Sequence, residues 1–212
     1  MQSKHLDVLL QRYPQLVPCK LHIQSAFALL CFCFKQKGKV LLAGNGGSAS
    51  DSDHIAGELL KSFAGPKRLS KRFESSLSVD AMQNLQHALP AIPLPNLTGI
   101  ISAFCNDCNP EWYFAQLVWG LGQEQDTLWC LSTSGNSKNI LRAIEIARAK
   151  KMTILGLTGE SGGQMKNLCD VCICVPETET FKIQELHLPV YHCLCLMLES
   201  YFFSTENVPA QF

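Results

Sequence analysis

Four short apolar runs constrain the fold of this chain more than any other feature. They cover Val40 to Ala43, Leu128 to Ser132, Ile154 to Leu157 and Val171 to Val175, and a weaker candidate lies around Ala88 to Leu94. Each run is largely apolar at both alternating positions, which is typical of β-strands that are covered on both faces. We therefore expect a central sheet that is buried on both sides.

Helical patterns separate these runs. They cover Leu21 to Lys37, Ser48 to Phe63, Leu97 to Phe104, Glu111 to Gly122, Asn136 to Lys150, Gly163 to Leu168 and Glu179 to Phe203. Strands that alternate with helices over short connections predict a parallel sheet with helices on both faces. The predicted fold class is α/β, a three-layer αβα sandwich around a parallel sheet of about five strands.

Length and charge limit the function. A chain of 212 residues is expected to form one domain, and a formal net charge of zero gives no field that would attract nucleic acid or an anionic membrane. The longest apolar run, Ala26 to Phe34, is shorter than the roughly twenty residues of a membrane span, and residues 1–14 lack the apolar region of a signal peptide. We expect a soluble, cytoplasmic protein without nucleic-acid or membrane partners, and a frayed polar tail from Thr205 onward.

The eleven cysteines are many for such a protein. Cys105 and Cys108, like Cys169 and Cys172, have the spacing of metal ligands. The odd count, the absence of a secretory signal and the apolar neighbours favour small buried side chains over a cysteine metal site.

Two glycine- or hydroxyl-rich turns follow predicted strands. In the first, Gly44-Asn45-Gly46-Gly47-Ser48 joins a strand to a helix, and glycines allow the backbone to approach an anion at the helix N-terminus. In the second, Ser132-Thr133-Ser134-Gly135-Asn136-Ser137 concentrates four hydroxyls where a helix dipole favours negative charge. Helix capping by Asn136 or Ser134 is the simpler interpretation, but it explains only one or two of the six residues.

Neither turn has the spacing of a nucleotide-binding motif. No Gly-Lys-Ser/Thr ends either turn, and neither gives the Gly-x-Gly-x-x-Gly spacing of dinucleotide sites. The sequence therefore favours binding of a single terminal phosphate, as in a sugar phosphate.

Candidate acid, base and metal ligands lie on two of the predicted helices. His54 and Glu58 share one helix face at a spacing of i,i+4, which suits a metal site or an acid beside a base, although a surface hydrogen bond is the commoner outcome. The last helix carries Gln184, His187 and His192, and a lone histidine on such an apolar helix is usually a core residue.

The two turns resemble the sugar isomerase (SIS) domain, and in particular its phosphoheptose isomerase branch, over about residues 37–198. The resemblance implies a flavodoxin-like sheet and one SIS domain over residues 1–212, with an N-terminal helical segment at 1–37 and an insertion around 62–95. It also implies a cytoplasmic homotetramer with sites at subunit interfaces. The activity implied is an aldose–ketose isomerisation through an enediol, with sedoheptulose 7-phosphate as the substrate and D-glycero-D-manno-heptose 7-phosphate as the product.

Site residues follow from the same resemblance. One zinc ion per site would be held by His54, Glu58, Gln184 and His192, with Glu58 as the base and His192 as the acid. Substrate would be bound by the following residues: Asn45, Gly46, Gly47, Ser48, Asn106, Asp107, Ser132, Thr133, Ser134, Ser137 and Gln184. Thr133, Asn106 and Asp107 would hold sugar hydroxyls, and the serines would bind the phosphate.

The proposed ligand set contains a geometric difficulty. On a straight helix, Gln184 and His192 lie about 12 Å apart along the axis and about 80° apart around it. A kink at Pro189, a late helix start or contributions from two subunits would relieve this, and we favour the subunits.

Two departures from the branch concern the substrate. The stretch between Glu58 and Asn106 is about twenty residues longer than in the branch's best-known members, and Phe181 stands where they have an acidic residue. The longer stretch carries the cations Lys67, Arg68, Lys71 and Arg72, which form a solvated face or, less simply, an anion clamp. The alternatives are an isomerase of another sugar phosphate and a non-catalytic SIS module that senses phosphosugars or partners a replication initiator.

Overall fold

A computed structural model describes residues 2–65 and 67–203, so the tail predicted to be frayed lies outside the described residues. Five parallel strands form one sheet in the order β2-β1-β3-β4-β5. The strands are β1 (Val40–Gly44), β2 (Ala91–Pro93), β3 (Thr127–Leu131), β4 (Thr153–Thr158) and β5 (Val171–Cys174). The predicted α/β fold with a central parallel sheet is confirmed, including its flavodoxin-like strand order.

The two faces of the sheet build two separate cores. Along β1, Val40 and Leu42 join one core, while Leu41 and Ala43 join the other. This alternation follows from the two-residue period of a strand, and it explains why every position of β1 and β3 is buried. The sheet is therefore the middle layer of the predicted three-layer sandwich.

The helices cover both faces. They are α1 (Gln2–Arg12), α2 (Lys20–Lys35), α3 (Gly47–Leu60), α4 (Val79–Asn84), α5 (Thr98–Asp107), α6 (Tyr113–Leu121), α7 (Lys138–Ala149), α8 (Met165–Leu168) and α9 (Thr180–Phe203), with short 3-10 helices at Pro14–Cys19, Lys71–Phe73, Leu94–Asn96 and Pro110–Trp112. Side chains of α1, α2, α3 and α9 pack into the first core, and those of α6, α7 and α8 into the second.

One helical stretch is longer and more apolar than we expected from the sequence. The 3-10 helix Pro14–Cys19 runs directly into α2, so Pro14–Lys35 has the length and the mean hydropathy, 1.5, of a helix that could cross a membrane. Counting uninterrupted apolar residues missed this, because single polar residues break the run without lowering the mean enough. Eight side chains of the stretch are buried in the protein: Leu16, Cys19, Ile23, Ala26, Leu30, Cys31, Cys33 and Phe34. A core helix passes the same test, and its packing accounts for these apolar residues.

One helix, α4, was not predicted. It lies within residues 62–95, whose polar, proline-punctuated sequence hides a short helix, whereas α1 lies within the N-terminal helical segment at 1–37 that the resemblance implies. Ser78 caps α4 by accepting from the backbone N–H of Ala81 at 3.1 Å.

The cysteines are free, and seven of them are buried: Cys19, Cys31, Cys33, Cys130, Cys172, Cys193 and Cys195. Burial raises the pKa of the Cys31 thiol to about 12, so this side chain packs as a neutral apolar group.

Candidate active site

The two predicted turns meet at the carboxyl edge of the sheet. β1 and β3 are neighbours, and Gly44 at the end of β1 pairs with Leu131 at the end of β3. The direction in which successive strands are added changes at β1, because β2 lies on one side of it and β3 on the other. Ligands of open α/β sheets bind in the crevice at such a point.

The second turn is closed by its own hydroxyls. Ser132 Oγ and Ser137 Oγ lie 3.0 Å apart, and the N–H of Gly135 donates to the carbonyl of Ser132 at 3.0 Å. Gly135 has φ +63°, and a β-carbon there would lie 2.1 Å from the carbonyl oxygen of Gly162. The position therefore requires glycine for both its backbone angle and its close neighbour.

Local capping explains only Ser134 in this turn, whose Oγ accepts from the backbone N–H of Asn136 at 3.2 Å. Ser137 is the N-cap of α7, yet its side chain makes no capping hydrogen bond. The Asn136 side chain is used elsewhere, since its Oδ1 accepts from the N–H of Gln164 at 3.0 Å. The N-terminus of α7 thus opens into the crevice beside paired serine hydroxyls, an arrangement that suits an anion.

Side-chain amides join the first turn to α7. Asn45 Nδ2 donates to Asn139 Oδ1 at 3.0 Å, Asn139 Nδ2 donates to Asn45 Oδ1 at 2.8 Å, and the Tyr113 hydroxyl donates to Asn45 Oδ1 at 3.2 Å. Gly46 has φ +56°, and the space beside its Cα is open. The bend therefore leaves the backbone of Gly46 accessible at the mouth of the crevice.

Gln184 lies at the first turn. Its Nε2 is 2.6 Å from where a β-carbon on Gly47 would be, so the turn and α9 approach each other only because residue 47 is glycine. Ser48, the next residue, is buried.

A second group of side chains lies further along α3 and α9. Ligand atoms of His54, Glu58 and His192 all lie within 4.8 Å of one another. His54 Nε2 is 3.1 Å from Glu58 Oε1 and 3.4 Å from His192 Nε2. The structure therefore brings together three of the four predicted metal ligands.

This cluster offers two imidazole nitrogens and a carboxylate, a donor set that zinc accepts. Glu58 Oε2 is buried and, among the described residues, has no hydrogen-bond partner. A bound cation would satisfy that oxygen, so the residues fit a metal ion. Burial, and then the nearby His54, lower the pKa of His192, which favours the neutral imidazole that a metal needs.

Gln184, the fourth predicted ligand, does not lie in the cluster of its own chain. Gly47, against which Gln184 packs, precedes His54 by two turns of α3, about 10 Å along the helix. α9 is helical from Thr180 through Pro189 to Phe203, so the late helix start considered above is wrong. Gln184 thus lies at the first turn and outside the cluster.

The remaining predicted residues lie around this crevice or at a helix end. Thr133 contributes its carbonyl to the fold, accepting from the N–H of Gly159 at 3.0 Å. Asn106 and Asp107 are exposed at the end of α5, where Asn106 Nδ2 donates to Asp107 Oδ1 at 2.8 Å. Among the described residues, neither forms a hydrogen bond with the two turns.

Sequence reasoning missed several side chains around the site. Tyr191 contacts both Asp51 and His54, and the Phe63 ring lies 5.1 Å from the His192 ring. Glu199 fixes the backbone beside Phe63, because its Oε1 accepts from the N–H of Ala64 at 3.1 Å. Asp51 lies one turn before His54 and Tyr191 directly precedes His192, and these spacings were the available sequence evidence.

His187 is the one histidine of α9 that points into the core. It is fully buried, and neither ring nitrogen has a hydrogen-bond partner among the described residues. Burial lowers the pKa of His187 to about 4. The usual interpretation of a histidine on an apolar helix is therefore right for His187, while His192 lies in the cluster.

Comparisons with known proteins identify the family of the chain. The SIS domain model matches residues 101–201. The chain is 38% identical over 183 residues to a phosphoheptose isomerase of Nitratiruptor sp., covering 86% of this chain and 88% of that protein. It is 44% identical over 171 residues to one from Burkholderia pseudomallei, covering 81% of this chain and 77% of that protein. A solved phosphoheptose isomerase structure from Francisella tularensis matches with a TM-score of 0.71 and 30% identity over 93% of this chain and 94% of that chain.

Proposed function

The chain belongs to the phosphoheptose isomerase family, and from that premise we propose that it interconverts sedoheptulose 7-phosphate and D-glycero-D-manno-heptose 7-phosphate. It is an aldose–ketose isomerase that acts on a sugar phosphate. The observation that carries the finer proposal is the convergence of His54, Glu58 and His192, two turns of α3 beyond the first turn.

The phosphate is assigned to the second turn. Ser132, Ser134 and Ser137 offer hydroxyls at the N-terminus of α7, and a helix N-terminus favours an anion. Asn45, Gly46, Gly47 and Ser48 complete the pocket from the first turn, where Asn45 is oriented by Asn139.

The distance between the two parts of the site supports a long substrate. The first turn and His54 are about 10 Å apart along α3. An extended seven-carbon sugar with a terminal phosphate has a similar length, so its carbonyl end would reach the cluster while its phosphate stays in the turns. Gln184, which lies at the first turn, is suited to bind a sugar hydroxyl, as are Thr133, Asn106 and Asp107 if the sugar chain passes them.

We assign a zinc ion to His54, Glu58 and His192, with Gln184 as the ligand that a neighbouring subunit would supply. When bound, such an ion polarises the substrate carbonyl. Glu58 Oε2 is the buried oxygen whose missing partner supports this assignment.

Proton transfer falls to Glu58 and His192. Glu58 would take a proton from C1 of the ketose while His192 gives one to the C2 oxygen, which leaves an enediol. Glu58 would then return its proton to C2 while His192 takes the proton of the C1 hydroxyl, and the aldose forms. Each residue ends in its starting state, as a catalyst must.

Assembly as a homotetramer is proposed from the surface beside the cluster. Val8 on α1 and Leu188 on α9 are 45% and 40% exposed and line a groove that also includes His192. Leu21 and Phe32 expose further apolar surface on α2. A second copy docked here would bury these side chains and bring its own groups next to His192. We also propose a cytoplasmic location for the enzyme.

The test is turnover by the purified protein. Incubated with sedoheptulose 7-phosphate, the wild-type protein should form the aldose, and a chelator should abolish the reaction. Glu58→Gln should lower kcat by about 10²- to 10⁴-fold, since it removes the base. Glu145→Gln, the same change at an exposed position of α7, is the matched control.

Two results would contradict the proposal. Turnover that survives Glu58→Gln would remove the proposed base. Absence of turnover by the metal-loaded wild-type protein would favour the non-catalytic SIS module instead.

A further inference from the structure

His54 is the most exposed member of the cluster, yet its ring is held from behind. Its side chain is 43% exposed, whereas Tyr191, against which it packs, is only 1% exposed. The two rings meet edge to face with centroids 5.4 Å apart. An exposed histidine on a helix can adopt several side-chain rotamers, so the buried tyrosine determines which of them His54 occupies.

The Tyr191 hydroxyl contacts two polar groups. It lies 3.0 Å from His54 Nδ1 and 3.3 Å from Asp51 Oδ1. Asp51 Oδ2 is buried and has no partner among the described residues, so the carboxylate depends on the tyrosine for its side-chain hydrogen bond. A carboxylate only accepts, and the single hydroxyl proton of Tyr191 must therefore point to Asp51.

This direction fixes the histidine tautomer. With its proton directed to Asp51, the tyrosine oxygen is an acceptor toward His54, which must carry a proton on Nδ1. When a metal ion is bound, Nε2 then offers its lone pair, and Nε2 is the atom that faces Glu58 Oε1 and His192 Nε2. Without the ion, the Glu58 oxygen at 3.1 Å is an acceptor that competes for a proton on Nε2. We call Asp51, Tyr191 and His54 the relay. The direction of its hydrogen bonds thus selects the His54 nitrogen that is available to the cluster.

We propose that Asp51 and Tyr191 are positioning residues that hold His54 in the Nδ1–H tautomer, with Nε2 ready to bind the metal ion. The inference rests on the proposed function for the identity of the ion. Partners behind a ligating histidine fix its tautomer and orientation, and losing them typically weakens metal binding by about 10- to 100-fold. Here the carboxylate acts through a tyrosine rather than directly on the imidazole.

The experiment uses the full chain and two readouts that need no substrate. Zinc affinity is measured by competition with a fluorescent chelator. The His54 tautomer is read from long-range ¹H–¹⁵N spectra of the imidazoles at alkaline pH, assigned with His54→Gln, with each substitution placed in a metal-free Glu58→Ala background that lacks the carboxylate competing for the Nε2 proton. Tyr191→Phe, which keeps the ring, should weaken zinc binding by about 10- to 100-fold and reduce the Nδ1–H form. Tyr201→Phe, the same change on the same helix away from the cluster, should do neither.

Substitutions of Asp51 test whether Tyr191 acts on His54 through its hydrogen bonds or only through packing. In Asp51→Ala the tyrosine proton is free to turn toward His54, so the Nε2–H tautomer should become dominant and zinc binding should fall at least as far as in Tyr191→Phe. Asp51→Asn, whose amide oxygen still accepts, should retain most of both properties. A loss of packing alone would not invert the tautomer.

The inference is overturned if Tyr191→Phe binds zinc as tightly as the wild-type protein, or if His54 of the metal-free Glu58→Ala background is in the Nε2–H form. Failure of the proposed function is a different result. A wild-type protein that does not isomerise the sugar phosphate would refute the activity, while the imidazole spectra would still report the relay.

Discussion

The phosphate turn and the metal cluster are joined by contacts of very different sequence separation. Ser132 and Ser137, whose hydroxyls meet at 3.0 Å, are five residues apart, whereas His54 and His192, whose nitrogens meet at 3.4 Å, are 138 apart. The turn is a local structure that ends one strand and begins one helix. The cluster exists only because α3 and α9 pack side by side on the same face of the sheet.

The difference separates two properties of the enzyme. The turn offers hydroxyls and a helix N-terminus, which bind an anion in the same way in the ground state and in the transition state. The cluster offers groups that can move protons. We therefore expect changes in the turn to affect KM and changes in the cluster to affect kcat.

The largest expected effect comes from the cluster. His192→Asn removes the proposed acid, so kcat should fall by about 10²- to 10⁴-fold while KM changes by a few fold at most. Steady-state kinetics with sedoheptulose 7-phosphate measure both constants, and His22→Asn at an exposed position of α2 is the control. A raised KM with an unchanged kcat would mean that His192 binds substrate only, and the contrast between the two regions would fail.

A smaller effect, on KM instead of kcat, is expected from the turn. Ser137→Ala removes one hydroxyl donor to a charged group, worth about 1.5–3 kcal/mol, so KM should rise by about 10- to 100-fold at nearly constant kcat. Zinc affinity should not change, because the cluster does not involve this serine. Ser76→Ala in an exposed loop is the matched substitution, and a fall in kcat without a change in KM would contradict the assignment of Ser137 to the phosphate.

The smallest effect concerns His187, which is on the same helix as His192 but belongs to neither region. Its folded pKa of about 4 lies below the unfolded value of about 6.5, so the unfolded state takes up a proton first as the pH falls. The free energy of unfolding should therefore fall by about 2 kcal/mol between pH 7 and pH 5 from this residue alone.

His187→Leu should remove that part of the pH dependence, as measured by urea unfolding at both pH values. Because both ring nitrogens lack partners, the substitution should cost little stability at pH 7. His22→Leu is the control for the loss of a histidine. A variant that retains the full loss of stability between pH 7 and pH 5 would show that other groups cause it.

Much of the fold was predictable because strands with two covered faces have a clear pattern. β1 and β3 are apolar throughout, and their predicted ranges lie within a residue or so of the observed ones. α4 was missed because a six-residue polar helix has too few positions to show a period. The span-length stretch Pro14–Lys35 was missed because a 3-10 helix joins α2 end to end, and apolar run length does not detect such a junction.

The sequence alone determined where the phosphate turns lie, since a glycine bend or a run of hydroxyls after a buried strand needs only neighbouring residues. Which polar groups of α3 and α9 meet was decided by the tertiary structure. The same helix α9 directs His187 into the core, His192 into the cluster and Gln184 against Gly47. Helix packing fixes these directions, and it also places a buried tyrosine and an aspartate behind His54, which no local pattern of residues could predict.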